Sequence, residues 1–482
     1  MGISGERDDS GGAGGSGGGG GIAETAENGE TGETGTTGRG GFRRKGAVGA
    51  RARDLAAATP ATRDRYVDLL RVASLAVVVL GHWLMAAVTP DGQVGNLLAV
   101  VPGLQILTWG LQVMPVFFFV GGFAHALAHR SRPRYAAFLR ARLQRLLRPT
   151  TVFIAVWGVL ALAVQLLGAD RGLTGVALRL VTQPLWFVGI YLAMVAFTPP
   201  LLRLHGRWGW GAFGALAAGA VLVDVLRFAA GVPYVEFLNF ALVWLAVHQL
   251  GFLRADGMIR RPALLAAAGL AGAGLLVALG PYPLSMVGMP GEEVSNMAPP
   301  TLALLCHGLW LVGAVELLKG AGARFAARAR VWRAVVAANG IAMTAFLWHL
   351  TAMLGVYGML LALGVRLPAP ATAAWWAQVP PRLAAAAVLT AVLVAVFRRA
   401  ERPVPPAPAS GSGGPVAAVG VTLALFGVLG LSMTGFGGLL EGRTATLVAV
   451  RVTAPAAVAM ALAGWFLVER AGRSRPRPRP RS

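Results

Sequence analysis

Twelve apolar segments of membrane-spanning length dominate this chain of 482 residues. Most are roughly 18 to 25 residues long, which an α-helix needs to cross the hydrocarbon layer. Lipid offers no hydrogen-bond partners to an open backbone, so such segments fold as helices. They fall near residues 68–89, 104–127, 147–167, 183–202, 211–230, 237–253, 262–280, 301–318, 335–363, 383–397, 415–437 and 445–468. The sequence therefore predicts an all-α fold, a polytopic transmembrane helix bundle.

Changes in composition indicate the domain boundaries. Gly-, Pro- and Ser-rich stretches divide ten spans from a final pair, and no stretch between spans exceeds about 20 residues, too few for a separate core. Any chemistry must therefore take place within the bundle. The predicted units are a disordered Gly-rich cytoplasmic tail (1–62), a ten-span domain (63–402), a linker (403–414), two additional spans (415–468) and a basic Arg/Pro cytoplasmic tail (469–482).

The basic residues predict the orientation in the membrane. The formal charge is +22, but the arginines cluster in the short segments between apolar runs and at the two tails. The positive-inside rule then puts both termini in the cytoplasm of a multi-pass plasma-membrane protein. This pattern makes the lipid bilayer the partner of these charges and argues against nucleic acid. The single cysteine, Cys306, provides no disulfide and no thiolate metal site, and we expect no metal.

Two ionisable residues in the first span are the strongest functional signal. Arg71 and His82 are eleven positions apart, so on a helix they lie within about 20° of one face and differ in height by about 16 Å. Ionisable groups at membrane depth usually face a cavity, a pathway or a partner. A basic flank and a packed histidine are the alternative interpretation.

An arginine cluster precedes the third span. Arg142, Arg145 and Arg148 are three residues apart, so a helix brings their guanidinium groups together as forked donors for a phosphorylated ligand. The topological preference for basic cytoplasmic loops explains the same residues without a ligand.

Several motifs together resemble the acyltransferase 3 family of integral membrane O-acyltransferases. They are the Arg-X10-His pair, Pro115-Val-Phe-Phe-Phe-Val-Gly-Gly122-Phe123, the Arg-X-X-Arg of Arg142 and Arg145, Trp186-Phe187, and Leu347-Trp348-His349. The resemblance covers about residues 63–400, and the stretches 239–257 and 282–300 look like those of actinobacterial-type members. The usual Ser-Gly-Phe of the second span is replaced by Gly121-Gly122-Phe123, which could alter the site lining or the acceptor.

The resemblance implies roles for individual residues. His82 takes the catalytic role with support from Arg71, and Arg142 and Arg145 bind the phosphates of an acyl-CoA co-substrate. Arg148 adds a further basic group there, and Trp186 and His349 are expected to contact substrate. Transfer of an acyl group, with acetyl expected, to a hydroxyl needs a base, and neutral imidazole suits this near pH 7. The expected acceptor is a glycan, a glycolipid or a small secondary metabolite.

The seventh outside loop and the other histidines complete the candidates. The loop is polar, and Ser285 and Asn296 could contact the acceptor, although an ordinary polar connection also explains them. His125, His248 and His307 lie in predicted spans, where a histidine can simply hydrogen-bond between helices.

Two rival functions use the same residues differently. A transporter or flippase for a lipid-linked or anionic solute would line its pathway with Arg71 and His82. A noncatalytic membrane scaffold would tolerate the loss of both.

Overall fold

The computed structural model describes residues 53–471, apart from 55, 61, 90–92, 132–133, 169–172, 290, 402–412, 441 and 448–449. Most of the predicted N-terminal tail, the linker and the basic C-terminal tail therefore lie outside the described residues. The helices are α1 Arg65–Met85, α2 Leu97–Val100, α3 Thr108–Leu111, α4 Met114–Ser131, α5 Tyr135–Leu166, α6 Leu173–Leu180, α7 Pro184–Trp208, α8 Trp210–Phe228, α9 Asn239–Ala255, α10 Pro262–Leu279, α11 Leu302–Leu317, α12 Lys319–Ala327, α13 Ala329–Asn339, α14 Ala342–Ala362, α15 Ala373–Phe397, α16 Gly414–Thr434 and α17 Ala454–Ala471.

Most long apolar helices agree with the predicted spans, but the predicted span 445–468 is wrong in its first part, because Thr444–Leu447 and Val450–Thr453 are strands and the helix begins at Ala454. Eleven described helices have the length and composition to cross a membrane, and the count is twelve if α11 and α12, which are bent by 57°, form one broken span. The predicted segment 301–318 corresponds to α11, which ends where the bend begins. The prediction of an all-α polytopic bundle is confirmed.

Two short β-hairpins interrupt the helical pattern and were not predicted. Strands β1 (Ala86–Val88) and β2 (Val94–Asn96) pair antiparallel directly after α1. Strands β3 (Thr444–Leu447) and β4 (Val450–Thr453) pair antiparallel between the last two helices. Strands of three and four residues carry too few alternating positions to be seen in the sequence.

Helices α4, α7 and α9 form the centre of the core. In α9 every residue from Val243 to Arg254 is buried. Gly122 of α4 and Gly251 of α9 lie at the contact: a Cβ at Gly122 would overlap the carbonyl of His248, and one at Gly251 would overlap the α4 backbone. Small residues permit such close approach of helices in membranes. The second glycine of Gly121-Gly122-Phe123 is thus required by packing.

The final pair of helices packs on two of the other long helices. Helices α16 and α17 pack tightly against each other, α16 also contacts α7, and α17 contacts α5. Close approach within the pair depends on Gly427 and Gly464, where any Cβ would overlap the partner backbone. The pair therefore belongs to the same helix bundle as the other spans.

Candidate active site

His82 and His349 form a hydrogen-bonded pair. His82 is near the C-terminal end of α1, and His349 is in α14. The Nε2 atom of His349 lies 3.1 Å from the Nδ1 atom of His82. His349 is fully buried, whereas His82 is partly exposed. The sequence motifs that contain these residues are 267 positions apart, and the fold brings them together.

The hydrogen bonds of the pair define its tautomers. His349 Nδ1 contacts the carbonyl oxygen of Phe346, and a carbonyl can only accept, so His349 Nδ1 carries the proton. In the neutral ring, His349 Nε2 is then an acceptor, and His82 Nδ1 must donate to it. The remaining nitrogen of His82, Nε2, is left with its lone pair. This atom can accept a proton from a bound hydroxyl.

Neighbouring aromatic residues hold His349 in this orientation. Trp83 of α1 donates its Nε1 hydrogen to the His349 carbonyl oxygen at 3.0 Å. The Phe346 ring lies 5.6 Å from the His349 ring and 4.8 Å from the ring of Phe187 in α7. Because these groups are packed in the core, the histidine pair is positioned before any ligand binds.

A cavity of about 530 Å³ lies at the end of the bundle where α1 begins. This volume is typical of a site for a small molecule or cofactor. Parts of α1, α4 and α5 form its wall together with the residues before α1. The described lining residues are Thr62, Arg63, Asp64, Val67, Asp68, Arg71, Phe123, Ala124, Leu127, Ala128, Ser131, Phe138, Ala141, Arg142 and Arg145.

The cavity favours an anion because its carboxylates are paired. Asp68 accepts from Arg63 at 2.6 and 3.1 Å and lies 3.8 Å from Arg71. The hydrogen bond to Asp68 raises the pKa of the Arg63 guanidinium, which therefore stays charged. Four arginines face two aspartates in the lining. An excess of positive charge in a recessed site attracts phosphorylated ligands.

Asp64 is neutralised from outside the cavity. Arg254 of α9 pairs with Asp64 at 2.8 Å and also with Glu316 of α11. Asp64 in turn caps α1, because its Oδ1 atom accepts from the backbone nitrogen of Val67 at 3.1 Å. Arg63, Asp64, Asp68 and Arg254 were not predicted as site residues. Only contacts between residues distant in sequence reveal the function of Arg254.

The structure separates the three arginines of the predicted cluster. Arg142 and Arg145 lie on α5 and line the cavity, and Arg142 donates to the carbonyl oxygen of Ala124 at 3.1 Å. Arg148 is not among the described lining residues. Each step of three residues turns the helix by about 60°, so Arg148 is displaced by about 120° from Arg142. Its contact with a donor stays a prediction.

Arg71 and His82 place the cavity and the histidine pair on the same helix. Arg71 lines the cavity, and His82 follows it by eleven residues on the same helix. Their separation along the axis is about 16 Å at the usual helical rise. His82 is not among the described lining residues, and Leu75, between the two, is buried. The two sites are therefore distinct parts of one helix.

The residues predicted to contact the acceptor lie in different environments. Trp186 is partly exposed in the first turn of α7, with its ring 6.4 Å from that of Phe187. Ser285 and Asn296 are fully buried in the loop between α10 and α11. Ser285 Oγ donates to the Val287 carbonyl oxygen at 2.9 Å, and Asn296 Nδ2 donates to Pro283 at 2.7 Å. These hydrogen bonds favour a structural role for both residues in the loop. Their contact with an acceptor stays a prediction.

Three other histidines form hydrogen bonds between structural elements, which the sequence analysis gave as one interpretation of them. His125 Nδ1 lies 3.0 Å from His248 Nε2, and His125 Nε2 lies 3.0 Å from the hydroxyl of Tyr191. His307 Nε2 lies 3.0 Å from the carbonyl oxygen of Trp109. Within the described part of the chain, no three His, Cys, Asp or Glu side chains are grouped so as to hold a metal ion.

Comparison with known proteins identifies the class. The protein is a bundle of membrane-spanning helices with buried histidines and a basic cavity. The family model described as an acyltransferase domain, of the acyltransferase 3 type, matches residues 64–399. Comparison with curated proteins and with solved structures gave no match. The chain belongs to the acyltransferase 3 family and is a membrane acyltransferase.

Proposed function

We propose that this protein is an O-acyltransferase that takes an acyl group, with acetyl as the expected group, from acyl-CoA. The acceptor is a hydroxyl of a glycan, a glycolipid or a secondary metabolite. The observation that carries the proposal is the His82–His349 pair, with a lone pair left at His82 Nε2 on the helix that also lines the basic cavity.

The basic cavity is proposed as the donor site. The pyrophosphate and ribose phosphate of coenzyme A carry several negative charges, which suit the guanidinium groups of Arg142, Arg145 and Arg71. With the nucleotide held at this end, the flexible pantetheine arm extends along α1 toward His82. The distance of about 16 Å between Arg71 and His82 then separates the anchored phosphates from the reacting thioester.

The proposed reaction begins at His82. Its Nε2 atom takes the proton of the acceptor hydroxyl while the oxygen attacks the thioester carbonyl carbon. The carbon–sulfur bond breaks, the acyl group stays on the acceptor oxygen, and the proton on His82 passes to the coenzyme A thiolate. His349 positions His82 by accepting from its Nδ1 hydrogen, and so fixes the tautomer that this step needs.

The arginine distribution supports an orientation with both termini in the cytoplasm of a plasma-membrane protein. Coenzyme A is a cytoplasmic donor, and this orientation turns the cavity toward it. An even number of spans is required, which agrees with twelve if α11 and α12 count as one.

Thioester consumption by the purified protein tests the proposal. The full chain in lipid nanodiscs should cleave acetyl-CoA slowly, with water in place of the acceptor hydroxyl, and release coenzyme A and acetate at a rate that depends on His82. Mass spectrometry of envelope glycans and exported metabolites from deletion and wild-type cells should identify the acceptor by one missing acyl unit. Movement of a solute across vesicles without thioester consumption would instead favour a transporter.

A further inference from the structure

We infer that the final helix pair, α16 and α17, holds the arginine-bearing part of α5 in place, with Glu469 as the positioning residue. This inference rests on the proposed donor site and gives a function to helices that lie beyond the family match at 64–399.

Glu469 contacts α5 next to the cavity arginines. Its Oε1 atom accepts from Gln144 Nε2 at 3.0 Å, and its Oε2 atom lies 3.8 Å from an Arg140 side-chain nitrogen. The Arg140 and Glu469 side chains are only 11% and 16% exposed. Solvent therefore screens this ion pair less than it screens an exposed surface pair. Exposed pairs contribute little to stability.

The contact lies on the side of α5 that faces away from the cavity. Arg140 and Gln144 are four residues apart and share one face of the helix. Arg142 is about 160° to 200° from both around the axis, and Arg145 is about 100° to 140° from them. Glu469 thus supports α5 from behind while Arg142 and Arg145 face the cavity.

A second attachment fixes the other end of α5. Gln165 Nε2 donates to the Phe436 carbonyl oxygen at 2.8 Å, and Gln165 Oε1 accepts from the backbone nitrogen of Leu440 at 3.0 Å. The rings of Trp157 and Phe436 are stacked, with centroids 6.5 Å apart. The segment after α16 therefore holds α5 near its C-terminal end, and α17 holds it near its N-terminal end.

The final pair is itself anchored. Leu429 of α16 packs on Gly189 of α7, where a Cβ would overlap its side chain. A helix segment such as 135–148 receives most of its stability from tertiary packing. Loss of Glu469 should therefore loosen the segment and the direction of its arginines, which weakens donor binding without removing a group that touches the donor.

Glu469→Ala tests this inference in the full chain in nanodiscs. The Kd for coenzyme A should rise roughly two- to fivefold, which corresponds to the upper part of the range measured for ion pairs. The kcat for acetyl-CoA cleavage should stay within about twofold, because His82 is untouched. Glu469→Gln, which keeps an acceptor for Gln144, should give a smaller rise. Arg470→Ala removes the neighbouring exposed charge and is the matched control.

Backbone hydrogen exchange separates this inference from the proposed function. Amides of residues 135–148 should exchange faster in Glu469→Ala than in wild type or Arg470→Ala, whether or not ligand is present. Unchanged exchange would overturn the inference, as would faster exchange with an unchanged Kd for coenzyme A. A wild-type protein that does not bind coenzyme A would refute the proposed donor site and, with it, the donor-binding part of the inference.

Discussion

The Nδ1 atom of His82 in α1 lies 3.1 Å from the Nε2 atom of His349 in α14. The proton arrangement follows from the Phe346 carbonyl, which can only accept from His349 Nδ1. The pair therefore has a direction, and the lone pair is left at His82 Nε2. In the proposed reaction this atom is the general base, and His349 determines which nitrogen of His82 is available.

Replacement of His82 should abolish transfer. His82→Ala removes the proposed base, and loss of a general base costs roughly 100- to 10,000-fold in rate. Acetyl-CoA cleavage by purified protein in nanodiscs measures the effect. His307→Gln is the control, because it changes a histidine that bonds to the Trp109 carbonyl in another part of the bundle. Wild-type turnover in His82→Ala would disprove the assignment.

Replacement of His349 should act through His82. His349→Ala should lower kcat less than His82→Ala does, because the base remains but its tautomer is no longer fixed. Groups that act as a unit show non-additive losses, so the double variant should be no slower than His82→Ala alone. Independent, multiplying losses would show that His349 has a separate function, such as binding the acceptor.

The two arginines that α5 contributes to the cavity should govern donor affinity. A hydrogen bond to a charged group contributes about 1.5–3 kcal/mol, so Arg142→Ala and Arg145→Ala should each raise the KM for acyl-CoA roughly 10- to 100-fold. The kcat should change less. Arg333→Ala, in α13, is a control with the same change in charge. Arg148→Ala decides whether the third arginine also contributes. An equal effect of all four substitutions would point to net charge alone.

The glycine contact between α4 and α9 should control stability. Gly122→Ala places a Cβ against the His248 carbonyl, and overpacking of a core typically costs about 1–3 kcal/mol. A lower melting temperature in detergent and a smaller yield are expected. Gly274→Ala, in α10, is the matched control, because no described atom lies within 4 Å of its added Cβ. Equal stability of the two variants would contradict the close approach.

The sequence predicted what depends on composition and local periodicity. Apolar length identified the spans, and the eleven-residue spacing placed Arg71 and His82 on one helix. The sequence could not show that His349 is the partner of His82, since their contact depends on packing between α1 and α14. Nor could it show that Asp64 and Asp68 line a basic cavity. Their negative charges are offset by ion pairs, Asp64 with Arg254 and Asp68 with Arg63, which only the folded chain reveals.

The polar loop residues show a second limit. Ser285 and Asn296 are polar residues of a kind that contacts ligands, and both are buried and bonded within their own loop, so their contact with an acceptor stays a prediction. Composition does not distinguish a polar group that satisfies its own backbone from one that awaits a ligand. The final helix pair was likewise recognised as two spans, but its contacts with α5 could not be derived from a hydropathy pattern.

The orientation on which the proposed mechanism depends can be tested by cysteine labelling in intact cells. With Cys306 replaced by serine, cysteines at Arg134 and Arg328 should be shielded from an impermeant thiol reagent, because basic short segments face the cytoplasm. A cysteine at Glu293, which is exposed in the loop between α10 and α11, should react. Glu293 is preferable to the nearby Gly291, whose φ of +83° would strain any other residue. Labelling after permeabilisation shows that the shielded cysteines are reactive. Reaction of a cysteine at position 134 or 328 in intact cells would show that the arginine cavity faces away from cytoplasmic coenzyme A. That result would contradict the acyl-CoA mechanism.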